Sequence, residues 1–181
     1  MNPEMRRVLF LDRDGVVNQD KHFVSNVEDV TFIEGILHLC KYFRAEDFEI
    51  VIVTNQSGIS RGIFSEQDFY SVMTFILEEF RRNGIEILAY FYCPHMPEDG
   101  CDCRKPLPGL FTQAIQEFCV SAQDSISIGD RKRDISAAIA AGIPQNYLLL
   151  DKSISTSEMP GCTIVNSLKQ IVEIHQSLPL E

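Results

Sequence analysis

No apolar run in this 181-residue chain is long enough to cross a bilayer, although 45% of its residues are apolar. The start, Met1-Asn2-Pro3-Glu4, lacks the charged-then-apolar layout of a secretion signal, so a cytoplasmic location is expected. Basic residues are scarce: 16 Lys+Arg stand against 26 Asp+Glu, a net charge of −10, which argues against a nucleic-acid or anionic-membrane surface. No linker, repeat or low-complexity tract interrupts the chain. Its length suits one domain spanning 1–181, expected to act as a monomer. Any anionic substrate of so acidic a protein must be met by local positive groups.

What is present alternates in period. Short runs of β-branched, aromatic and other apolar residues at 8–11, 50–54, 87–92, 125–128 and 147–150 predict strands. Between them, 35–45, 65–83, 108–120, 131–141 and 167–176 carry apolar residues at helical spacing, with Ser65 as a cap and Gly84 and Gly142 as stops. This alternation predicts an α/β fold: a Rossmann-like doubly wound parallel sheet in the order 3-2-1-4-5, with no inserted cap domain. Ligands of such sheets collect beyond the carboxyl ends of the strands.

Three apolar strands deliver polar groups to that rim. The first runs into Asp12-Arg13-Asp14-Gly15, the second into Thr54-Asn55-Gln56-Ser57, and the fourth into Gly129-Asp130-Arg131, with Asp134 one helical turn further on. Asp-x-Asp-Gly also opens calcium loops, but such a loop needs oxygen ligands at Val16 and Asp20 and a glutamate at Phe23, and only Asp20 fits. Two carboxylates at the strand mouth suit phosphoryl transfer, one attacking phosphorus and the other moving protons. Asp134 could instead be a first-turn acid favoured by the helix dipole.

Cys93, His95, Cys101 and Cys103 supply four ligands within eleven residues, enough for one closed, structural tetrahedral Zn²⁺ in a small loop. Cys40 and Cys119 fall on apolar helix faces and read as core, while His38 and His175 read as surface residues.

Taken together, Asp-Arg-Asp-Gly, Thr-Asn-Gln-Ser, Arg104-Lys105-Pro106 and Gly129-Asp130-Arg131 with Asp134 resemble the four ordered motifs of the haloacid dehalogenase superfamily, from residue 8 to about 150. Within it, the Cys/His stretch and the long 53–62 segment are similar to the small zinc-containing group of phosphatases that act on heptose bisphosphates and histidinol phosphate. The 55–62 segment and Arg104-Lys105-Pro106-x-Pro108-Gly109 look more like the heptose branch.

The resemblance implies a phosphohydrolase acting on a small phosphorylated substrate, a sugar bisphosphate. Asp12 is the implied nucleophile, and Asp14 the acid and base, which burial or a like-charged neighbour should keep protonated. Asp12, Asp130 and the Asp14 carbonyl are the implied Mg²⁺ ligands. Thr54, Asn55 and Lys105 are expected to meet the phosphoryl oxygens. Asp20, Lys21, His22, Phe23, Gln56, Ser57, Arg61, Arg104 and Arg131 are candidates for the rest of the substrate. Histidinol phosphate hydrolysis, or a binding module of the same fold without turnover, are the alternatives.

Overall fold

In the computed structural model, residues 5–150 and 159–177 are described. Six parallel strands form one sheet: β1 (Arg7–Leu11), β2 (Phe48–Asn55), β3 (Ala89–Cys93), β4 (Ile126–Gly129), β5 (Gln145–Leu149) and β6 (Thr163–Val165), in the order β3-β2-β1-β4-β5-β6. The expected order is present, extended by β6. That strand escapes sequence reading because three residues carry no period. Four helices connect strands, α1 (Ile36–Ala45), α2 (Glu66–Arg82), α3 (Gly109–Phe118) and α4 (Lys132–Ala140), and α5 (Leu168–Ser177) follows β6. None of the described helices is long and apolar enough to cross a membrane.

The unbroken apolar runs of β1 and β2 follow from burial on both faces. Leu9, Leu11, Ile50 and Ile52 share one core with Leu39 and Phe43 of α1, Phe69 and Ile76 of α2, and Ile171 of α5. Their neighbours Val8, Phe10, Val51 and Val53 point the other way, into a core with Leu110, Phe111, Ala137 and Ala138 of α3 and α4. Every residue from Val8 to Leu11 is fully buried. The rigid centre of the sheet therefore carries the strands whose carboxyl ends hold Asp12 and Thr54.

Local signals set the helix ends. Ser65 and Asp68 form a reciprocal capping box at the start of α2, and Gly84, with φ of +75°, follows its end. Two sequence expectations are corrected. Cys119 is not core: α3 stops at Phe118, and Cys119 turns out in a left-handed cap (φ +52°) and is exposed. His175 is not a simple surface residue, because Tyr42 and Phe43 enclose it and its Nδ1 lies 2.8 Å from the Tyr42 hydroxyl.

Candidate active site

Asp12 ends the run of β1, and its backbone N–H donates to Ile128 of β4 at 3.0 Å, which fixes it between the two central strands. Lys105 arrives from the loop before α3. Its Nζ donates to Asp12 Oδ1 at 2.7 Å and to the Val53 carbonyl at 2.8 Å, and it pairs with Asp134 Oδ1 at 2.7 Å. Two carboxylates and one carbonyl thus surround the ammonium. Lys105 is 2% exposed and does not line the adjacent cleft, so it holds Asp12 from below through Oδ1. Burial works against its charge, but Asp12 and Asp134 outweigh it and hold the ammonium above its ordinary value.

Asn55 orders this arrangement from β2. Its Nδ2 donates to the Lys105 carbonyl at 3.0 Å, and its Oδ1 accepts the Lys105 N–H at 3.1 Å. One Nδ2 proton remains beyond these bonds, and Asn55 lines the cleft beside Thr54. Asp134 is more than a dipole-favoured acid: it accepts the Arg131 N–H at 3.0 Å, caps α4 and holds Lys105.

Carboxylate oxygens of Asp12, Asp130 and Asp134 lie within 4.8 Å of one another. Asp130 Oδ1 is buried without a hydrogen-bond partner, as an atom reserved for a cation would be. A Cβ at Gly15 would sit 2.4 Å from Asp130 Oδ2, so only glycine admits Asp130, and its φ of +93° independently favours glycine. This all-oxygen set fits Mg²⁺. Burial pushes Asp12 up to about 8, partly offset by Lys105 and reinforced by Asp134 and Asp130; it pushes Asp130 up to about 6, with Asp134 adding to the rise.

That produces a pH signature. Raised folded-state values mean that the stabilisation is complete below the unfolded value near 3.8 and is lost as pH rises through about 6 and about 8. Metal-free protein should therefore lose melting temperature between about pH 5 and pH 8, and Mg²⁺, which needs the carboxylates charged, should raise it more at the upper pH. Thermal melts with and without Mg²⁺ check this, and an equal rise at both pH values would contradict it.

Asp12 and Asp14 open into a cleft of about 310 Å³ that is also lined by Asp20, His22, Phe23, Thr54, Asn55, Gln56, Ser57, Arg104, Arg131 and Arg133. Sequence reading missed Arg133, two residues past Arg131 at the start of α4. Arg131 donates to Asp20 Oδ2 at 3.2 Å and pairs with Asp130 Oδ2 at 3.0 Å. Lys21 and Arg61 do not line the cleft: Lys21 Nζ is tied to the Asp29 carbonyl and the Thr31 hydroxyl, and Arg61 is exposed. A larger groove of about 610 Å³, beside Leu77 and Arg81 of α2, carries none of the motif residues.

Three side chains hold Asp14: Arg13, Asn18 and Gln56 all donate to it. Gln56 also donates to the buried Thr54 hydroxyl at 2.9 Å, so this side chain ties the first and second motifs together.

Below the cleft-forming loop, Cys93, His95, Cys101 and Cys103 gather their ligand atoms within 4.8 Å. The separations are 3.6 Å for Cys93 Sγ to Cys101 Sγ, 3.6 Å for Cys93 Sγ to His95 Nδ1 and 3.3 Å for His95 Nδ1 to Cys103 Sγ. A tetrahedron with metal–sulfur bonds of about 2.3 Å has edges of roughly 3.7 Å, so the donors fit Zn²⁺. Arg104 follows directly and donates to the His95 carbonyl at 3.0 Å.

Fold and site together define an α/β protein with a carboxylate-rich cleft at the carboxyl ends of its central strands, the layout of a HAD-like hydrolase. A family model described as HAD-hydrolase-like matches residues 102–158. D-glycero-alpha-D-manno-heptose-1,7-bisphosphate 7-phosphatase of Campylobacter jejuni is 44% identical over 137 residues, covering 76% of this chain and 78% of that protein. The beta-named counterpart of Helicobacter pylori is 38% identical over 151 residues, covering 83% and 87%. A crystal structure of D,D-heptose 1,7-bisphosphate phosphatase from B. bronchiseptica, complexed with magnesium and phosphate, superposes with a TM-score of 0.84 at 30% identity, covering 94% of this chain and 98% of that one. The chain belongs to the haloacid dehalogenase-like hydrolases, in the family of the heptose-1,7-bisphosphate 7-phosphatases.

Proposed function

We propose that the protein hydrolyses the 7-phosphate of D-glycero-D-manno-heptose 1,7-bisphosphate, through an aspartyl phosphate on Asp12. The supporting observation is the cleft in which Asp12, clamped through Oδ1 by Lys105, shares a lining with Asp14 and with Arg104, Arg131 and Arg133. Asp12 would attack, and the three guanidinium groups lining the same cleft would meet a second phosphate and the sugar hydroxyls.

Mg²⁺ bound by Asp12, Asp130 and the Asp14 carbonyl would neutralise phosphoryl charge and so let an anion approach an anion. Asp12 Oδ2 forms the new bond to phosphorus while the bond to the sugar oxygen breaks, and that oxygen takes its proton from Asp14. Water then loses a proton to Asp14 and attacks the same phosphorus, which frees Asp12 and releases phosphate. The Thr54 hydroxyl, which accepts from Gln56 and lines the cleft, would donate to a phosphoryl oxygen. Phosphate release from a panel of sugar bisphosphates and histidinol phosphate tests the reading. Heptose 1,7-bisphosphate should have the highest kcat/KM, dependent on added Mg²⁺; a preference for histidinol phosphate would overturn the substrate assignment.

The Cys93, His95, Cys101 and Cys103 cluster supports a structural Zn²⁺, whose work is to fold the loop that presents Arg104 and Lys105. Metal analysis should find close to one zinc per chain. A strong chelator should lower both melting temperature and activity even with Mg²⁺ in excess; unchanged activity in zinc-free protein would contradict the role. All described cysteines are free, which fits a reducing, cytoplasmic setting.

A further inference from the structure

Arg13 carries its charge where water does not reach, with no exposed surface. Nε donates to Asp14 Oδ1 at 3.1 Å, and Nη2 donates to Asp14 Oδ1 and Oδ2 at 2.9 Å each. The same Nη2 donates to the Val24 carbonyl at 3.2 Å, and the guanidinium lies 5.7 Å from the centroid of the Phe69 ring. Among the described residues Asp14 is its one anionic partner.

From the other side, Asn18 Nδ2 donates to Asp14 Oδ1 at 3.0 Å and Gln56 Nε2 to Oδ2 at 2.9 Å. Each oxygen of Asp14 thus accepts from two donors or more. In this pose the carboxyl group makes acceptor contacts only and presents no proton to a leaving oxygen. Donating one requires Asp14 to turn away from Arg13. A buried guanidinium left without its carboxylate is strongly unfavourable, so that turn is opposed unless Arg13 shifts as well.

Val24, the second hold on Arg13, closes the loop that carries His22 and Phe23. Both have left-handed backbones, with φ of +58° and +59°, and both line the cleft. Such strain persists only where the surroundings enforce it. Here Phe23 and Phe64 close over Gly58, where a Cβ would lie 2.8 Å and 2.1 Å from their rings. The Val24 carbonyl links this loop to Arg13.

We propose that Arg13 is a positioning residue that parks Asp14 and makes its release depend on the loop carrying His22 and Phe23. Substrates that reach the loop are then turned over in preference to smaller esters with the same leaving group. The inference rests on the phosphatase reading above. Its test is the ratio of kcat/KM for heptose 1,7-bisphosphate to that for glycerol 3-phosphate, both primary alkyl phosphates. Arg13→Lys keeps the charge and loses the fork. The ratio should fall by about tenfold or more, within the usual range for coupled sites.

A ratio unchanged in folded Arg13→Lys, whether both rates drop together or neither does, overturns the inference. Hydrolysis of neither ester by the wild type would bring down the phosphatase reading and this inference with it. Should Arg13→Lys not fold, the wild type crystallised with Mg²⁺, orthovanadate and heptose 1-phosphate decides. Asp14 should then be turned off Arg13 toward the vanadate with the Val24 carbonyl displaced; Asp14 still held by both Arg13 nitrogens would overturn the inference.

Discussion

Asp12→Asn should lower turnover by roughly 10⁴-fold or more, the scale on which loss of an attacking residue is felt, without unfolding the protein. Asparagine fills the same space and lacks the charged oxygen that attacks phosphorus. Lys105 keeps Asp134 at 2.7 Å and the Val53 carbonyl at 2.8 Å, so the network is not left with a lone buried ammonium. The variant also removes a carboxyl that burial holds up to about 8. Its melting temperature without Mg²⁺ should therefore equal or exceed that of the wild type near pH 8. Single-turnover kinetics and a melt check both halves, and activity near the wild-type level would exclude Asp12 as the nucleophile.

Lys105→Met should be the most damaging single change to stability. It leaves Asp12 and Asp134 as neighbouring buried carboxylates without a counterion, a loss of about 3–5 kcal/mol where one partner of a buried pair is removed. Asn55 would still hold the peptide group of residue 105, so the loop keeps its place while the charge is gone. Without Lys105, which holds it down, Asp12 favours protonation in the folded state still more, so the deficit should grow as pH rises. Mg²⁺ should recover part of it by lending positive charge to Asp12. Activity should fall with stability, because Asp12 loses the clamp on Oδ1. Denaturant titrations at two pH values measure this, and a deficit that shrinks with rising pH would contradict it.

β1, β2 and β4 were legible because each is a short apolar run buried on both faces, while β6 was too short to show a period; the order of the first five followed from the α/β alternation. The chemistry at their ends was legible because Asp12, Thr54 and Asp130 each break such a run abruptly. Side-chain commitments were not legible. Asn55 bonds to Lys105, fifty residues away, and nothing in Thr-Asn-Gln-Ser distinguishes an amide facing phosphate from one facing a peptide group. Arg13 reads as a spacer between two aspartates until Val24, Asn18 and Gln56 are seen to share its surroundings. Cys119 keeps the apolar period of α3 yet falls one residue past its end, where a left-handed turn reverses its direction. Periodicity reports a face only while the helix lasts.

The central claim is that phosphate passes through Asp12 before it reaches water. The stereochemical course at phosphorus tests it most directly, using a substrate whose transferred phosphoryl group is made chiral with oxygen isotopes. Two successive in-line displacements, first by Asp12 and then by water, predict overall retention of configuration. Inversion would mean a single direct attack by water and would contradict the account.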